Sequence, residues 1–221
     1  MRRNTPFLLA LAATAVLIAG CAAEAGPPSS STPTPSAEAA PSATPTPEAT
    51  AQLVVTIEGI DFVDGDDTQT ASFKDAAALR SLLEAATGEL PEPSEIEDPP
   101  GYESDTVRYD WDGLTLFMDP AGTAPARITV MSAAVAGIPI ASEEGLTIGS
   151  TRDDVVAAQG WDVFDADGDG IADYLGVGGM EVPGTTSLVR PGETGVQYLM
   201  FDVAGDVVTR IDAPADDFSD L

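Results

Sequence analysis

Ile57-Glu58-Gly59-Ile60-Asp61-Phe62 and Val135-Ala136-Gly137-Ile138-Pro139-Ile140 share one pattern: apolar, variable, Gly, Ile, variable, apolar. The two stretches lie 78 residues apart. The same ungapped offset lays Ser72-Phe73-Lys74-Asp75 over Ser150-Thr151-Arg152-Asp153. Each Ser-x-x-Asp resembles a capping box, in which side chains satisfy orphan amides at a helix start. Each leads into a helix-like run, residues 75–86 and 153–159. Further on, Val107-Arg108-Tyr109 answers Val196-Gln197-Tyr198 at an offset of 89, so the second copy holds about 11 extra residues. A period of this kind points to duplicated supersecondary units.

Each half then reads as a strand, a loop, a capped helix, a variable loop and a hairpin. Residues 106–110 and 114–118 flank Trp111-Asp112-Gly113, and an Asp-Gly pair between apolar runs is a hairpin signal. Residues 127–135 supply a further strand. Residues 196–203 and 206–211 flank Ala204-Gly205. Alternation at Val107, Tyr109 and Trp111 fits a sheet with one covered face. The expected fold class is α+β: two related lobes, 52–134 and 135–214, each a helix on a small antiparallel sheet. Residues 215–221 form an acidic tail expected to fray.

The chain before residue 52 is of another kind. Arg2 and Arg3 precede an apolar run over residues 7–18, which ends in Ile18-Ala19-Gly20-Cys21. A positive start, a short apolar stretch and small residues before a cut describe a secretory signal over residues 1–20. The run is shorter than the roughly 20 apolar residues a membrane span needs. Residues 21–51 are rich in Pro, Ser, Thr and Ala, with no apolar side chain able to build a core, and read as a disordered tether. In polyproline II form, at ~3.1 Å per residue, it would reach up to about 90 Å.

Composition limits the chemistry. The chain holds 9 Lys and Arg against 37 Asp and Glu. Loss of Arg2 and Arg3 leaves 7 cations against the same 37 acids, a net charge near −30. Nucleic acid is excluded as a partner, because phosphates need a basic footprint. There is no His, and Cys21 is the sole cysteine. The folded part therefore holds no Ser-His-Asp triad, Cys-His pair or His/Cys zinc site. A carboxylate-based cell-wall hydrolase stays open in principle. Aromatics at 6% argue against a sugar cleft. Trp111, Tyr109 and Phe117 read as core or sheet-face residues, Trp161 as an anchor for a helix end, and Asp110 and Asp112 as turn caps.

One constellation suits a metal. Asp165, Asp167 and Asp169 stand at alternate positions before Gly170, followed by Ile171 and Asp173. Calcium takes six to eight oxygens, and loops provide them from alternate carboxylates around a Gly turn, with a backbone carbonyl at the seventh position. Asp165, Asp167, Asp169, Ile171 and Asp173 form the candidate ligand set. The run resembles the calcium loops of EF-hand-like and thrombospondin-type repeats. It departs from them at the twelfth position, where Gly176 replaces the bidentate Glu, so binding should be weak.

Leu17-Ile18-Ala19-Gly20-Cys21 resembles the lipobox of bacterial lipoproteins. The resemblance implies cleavage before Cys21, lipid on its sulfur and a bilayer partner on the outer face of the cell membrane. The whole chain is similar to tethered lipoproteins of high-GC Gram-positive bacteria. Residues 145–155, Gly-Leu-Thr-Ile-Gly-Ser-Thr-Arg-Asp-Asp-Val, resemble a strand–Gly–capped-helix pattern. It is that of small outer-membrane-assembly lipoproteins and β-lactamase inhibitory proteins, although the paired cysteines of the inhibitors are missing. That likeness implies an α+β fold and an envelope protein as partner. The expected function is a non-enzymatic interaction module of the cell envelope; the alternative is a calcium-stabilised structural surface domain.

Overall fold

Asp112-Gly113 reverses the chain between Val107–Trp111 and Leu114–Met118, with Gly113 at φ +92°, where a side chain would be strained. Gly205 and Asp206, both at positive φ, do the same between Val196–Ala204 and Val207–Asp216. The computed structural model describes residues 51–96 and 105–219. The expected signal, Cys21 and nearly all of the expected tether lie outside the described residues.

Thirteen strands and two helices occur among the described residues. In chain order they are β1 (Gln52–Val55), β2 (Gly59–Asp64), β3 (Asp67–Ser72), α1 (Ala76–Thr87), β4 (Ser94–Glu95), β5 (Val107–Trp111), β6 (Leu114–Met118) and β7 (Arg127–Val130). There follow β8 (Ala134–Val135), β9 (Ile138–Ser142), α2 (Arg152–Ala157), β10 (Trp161–Phe164), β11 (Tyr174–Glu181), β12 (Val196–Ala204) and β13 (Val207–Asp216). Five strands form one sheet, ordered β3-β2-β1-β9-β8. Eight form the other, ordered β10-β11-β12-β13-β7-β6-β5-β4. All pairings are antiparallel except β1 with β9.

The α+β expectation of two lobes is therefore wrong: the molecule is mostly β, and both sheets run through the expected boundary at 134/135. Leu53 of β1 pairs with Ile140 of β9, and Val130 of β7 pairs with Ile211 of β13. All four side chains are buried in one continuous apolar cluster with α1. The physical reason is that these pairings are non-local and leave no local mark on the sequence. The stretches that match one another do share sheets: β2 and β9 in the smaller, the β5–β6 and β12–β13 hairpins in the larger.

The helices are also unequal and start elsewhere. Asp75 caps α1, its carboxylate accepting from the Ala78 amide at 3.0 Å, while Ser72 Oγ donates to the Glu58 carbonyl. α2 has only six residues, and its capping box is Thr151–Asp154, one position later than expected. Ser150 Oγ instead accepts from the Thr147 amide. The expected tail is partly strand: β13 continues through Asp216, and Asp217 is pinned beyond it.

Candidate functional site

The loop Asp165–Asp173 is the connection of the β10–β11 hairpin, closed by the Asp173 amide donating to the Phe164 carbonyl at 2.9 Å. Gly168 and Gly170 take left-handed backbone at φ +77° and +91°. Those turns aim amides inward. Both Asp165 oxygens accept, from Gly168 at 2.7 Å and Gly170 at 2.8 Å. Donation from Gly170 and Gly168 holds the Asp165 carboxyl below the ordinary aspartate range. Asp173 Oδ2 accepts from the Ala166 amide and Asp167 Oδ1 from the Asp169 amide.

Asp165, Asp167 and Asp173 bring one oxygen each within 4.8 Å of one another. Ligands at 2.3–2.6 Å from a calcium ion lie up to about 5 Å apart, so the three fit around one ion. Asp169 stands outside this group, its Oδ1 turned to the Ile171 amide at 2.8 Å. The Ile171 side chain is exposed.

A second feature lies on the outer face of the eight-stranded sheet. Strand alternation sends Leu116, Ile128, Leu199, Phe201 and Ile211 into the core. The intervening positions face away, and one cross-strand row reads Gly176, Met200, Asp212, Thr129, Thr115, Asp110. A polar ladder runs along it. Thr115 donates to Asp110 at 2.8 Å and Thr129 to Asp212 at 2.7 Å. Arg210 reaches Asp212 at 2.9 Å and Asp202 at 3.4 Å. Burial would lower the Arg210 pKa, but these two carboxylates outweigh it and raise it.

Apolar side chains share this face with the ladder. Phe117, Met200, Tyr198, Leu188 and Val189 line a groove of about 700 Å³ together with Arg127. The Arg127 guanidinium lies 4.9 Å from the centre of the Phe117 ring. Leu188 and Val189 belong to the connection between β11 and β12. Asp217 holds that connection to the end of β13, accepting from Ser187 Oγ at 2.7 Å, the Val196 amide at 2.6 Å and Arg190 at 3.2 Å. Burial would raise the Asp217 carboxyl, but the Val196, Ser187 and Arg190 donors hold it below the usual range. Burial, then Asp217 and Asp216, push the Tyr198 phenol up.

No protein-family model, curated protein or solved structure matches the chain. The site's reading therefore rests on its own geometry.

Of the aromatic residues singled out in the sequence, Tyr109 and Trp111 are core, the latter bonding Thr87 Oγ1 through its indole at 3.0 Å. Phe117 is on the groove. Trp161 opens β10, edge-on to Tyr198 with centroids 5.5 Å apart, and lines a pocket with Ala157 and Ala158 at the end of α2. Asp110 is engaged by Thr115 and Arg108. Arg127, Met200, Tyr198 and Arg210 were missed. Their signal was available: β6 and β12 carry large apolar residues at both parities, Leu116 beside Phe117 and Leu199 beside Met200. A half-solvated strand keeps its outer positions polar.

Proposed function

We propose that the chain is a lipid-anchored, extracytoplasmic binding module of the cell envelope that seats its ligand in the groove over Phe117 and Met200. The observation that carries this reading is the groove itself. Its volume falls within the roughly 300–1,000 Å³ of small-molecule sites, and it joins an apolar floor to a few fixed polar groups. A stable protein interface covers about 800 Å² per partner. The groove thus favours a smaller occupant than the envelope protein expected from sequence. The anchor rests on the lipobox at Cys21.

Two measurements test the two halves. In the native host, Cys21→Ser should move the protein from the membrane fraction to the medium; continued membrane association would remove the anchor. In amide-detected titrations, 1-octanol should shift Phe117, Tyr198 and Met200. Met200→Glu should weaken that binding at least tenfold, since a charge then occupies the apolar floor at a cost of about 1.4 kcal/mol or more. An unperturbed parent spectrum would remove the groove reading.

A second reading has its own support in the Asp165, Asp167 and Asp173 oxygens, which meet within 4.8 Å. In this reading calcium stabilises the β10–β11 hairpin. With a dissociation constant of about 1 mM, calcium at about 10 mM adds roughly 1.4 kcal/mol by linkage. That is a rise in Tm of about 3–5 °C for a domain of this size. Asp167→Asn should abolish the rise. A parent protein whose Tm ignores calcium at that concentration would eliminate this reading.

A further inference from the structure

The charges that line the groove are unequally partnered. Each of its carboxylates has its own donors: Asp212 has Thr129 and Arg210, Asp216 has Ser219 and the Phe218 amide, and Asp217 has Ser187, Arg190 and the Val196 amide. Arg210 is paired with Asp202 and Asp212, and Arg190 with Glu193 and Asp217. Arg127 differs. Among the described residues no carboxylate lies within ion-pair distance of it, and its guanidinium rests on the Phe117 ring at 4.9 Å. It is also exposed, so its donors remain available to a ligand.

A guanidinium offers a planar fork that fits a carboxylate with two parallel bonds. Here the fork rests on Phe117 in a groove that Met200 and the exposed Leu188 and Val189 also line. Building on the groove reading above, we propose that the groove binds small amphipathic monocarboxylates. The carboxylate pairs with Arg127 and the apolar body lies over Phe117 and Met200. The negative charge of the whole domain does not cancel this preference. At physiological ionic strength charges beyond about 8 Å are largely screened; of the nearer carboxylates, Asp212 is paired with Arg210 and Asp217 with Arg190, while Asp216 is held by neutral donors.

The test uses the mature chain made soluble by Cys21→Ser, titrated separately with octanoate, 1-octanol and octyltrimethylammonium. Octanoate should bind at least tenfold more tightly than 1-octanol, a difference of about 1.4 kcal/mol, because only the carboxylate makes charge-assisted hydrogen bonds to the guanidinium. Arg127→Gln should bring octanoate binding down to the level of 1-octanol in the same variant, while Arg127→Lys should retain part of the preference. If Arg127→Gln fails to fold, the comparison of probes in the parent decides alone. Equal binding of octanoate and 1-octanol, or tighter binding of the cation, would overturn the carboxylate inference and leave the groove reading standing. Failure of all three probes would overturn both. A concentration-dependent dimer that excludes octanoate would do the same, because a second copy would then be the occupant.

Discussion

Expressed separately, residues 52–134 and 135–221 should each lack a cooperative thermal transition, and mixing them should restore one. Cutting at that point separates β1 from β9 and β7 from β13. It exposes Leu53, Ile140, Val130 and Ile211, which are at most 2% exposed in the intact fold. Burying side chains of this size contributes about 1.5–3 kcal/mol each. Four of them approach the roughly 5–15 kcal/mol that is the whole stability of an ordinary domain. Two duplicated lobes would instead give two folded fragments. Circular dichroism and amide dispersion distinguish the outcomes: a cooperative melt from either fragment alone would restore the two-lobed architecture.

Gly59→Ala should lower stability by about 3 kcal/mol or more, the upper end of what overpacking costs. Gly59 begins β2 opposite Ser72, and a Cβ there would stand 2.0 Å from the carbonyl oxygen of Ala71. That oxygen belongs to β3 backbone and has no rotamer to yield. For a domain of this size the loss corresponds to about 6–12 °C in Tm. Gly176→Ala is the comparison. Its Cβ would meet the Trp161 indole at 2.5 Å, yet Trp161 lies at the start of edge strand β10 and can swing aside. The Gly176 variant should therefore lose less than half as much, by chemical denaturation of both proteins. Equal losses would show that the neighbour's freedom to move does not decide the cost.

The limits of the sequence follow from range. The Asp112-Gly113 and Gly205 turns were legible because a hairpin is written in a dozen consecutive residues. The helix starts were nearly so, since Asp75 and Thr151 each lie within three residues of the serine expected to cap them. The β1–β9 and β7–β13 pairings join residues more than 80 positions apart, and a buried Val130 looks the same whichever strand it faces. The matching stretches at 57–62 and 135–140 pointed to separate lobes, and the fold does not divide there. They lie in one sheet and do not mark separate lobes, and their packing differs: Gly59 and Ile60 are buried in β2, whereas Gly137 is exposed at φ +81° and Ile138 is half-buried. For the candidate calcium loop, spacing named five residues, and side-chain turns decide which converge: Asp169 meets the Ile171 amide while Asp165, Asp167 and Asp173 gather. The groove was hidden for another reason. Its lining draws on β6, β7, β12 and β13, two hairpin-like pairs far apart in sequence, and among the described residues the lack of an ion pair at Arg127 shows only once the nearby carboxylates have been assigned their donors.

Both ends of the described chain are interior strands. β1 lies between β2 and β9, and β13 lies between β12 and β7. Tension entering at Gln52 therefore finds no edge to peel, and it must shear two ladders at once. The parallel one is closed by a strand 87 positions further along. A strand gripped on both sides is a mechanical clamp, and this chain has one at each end.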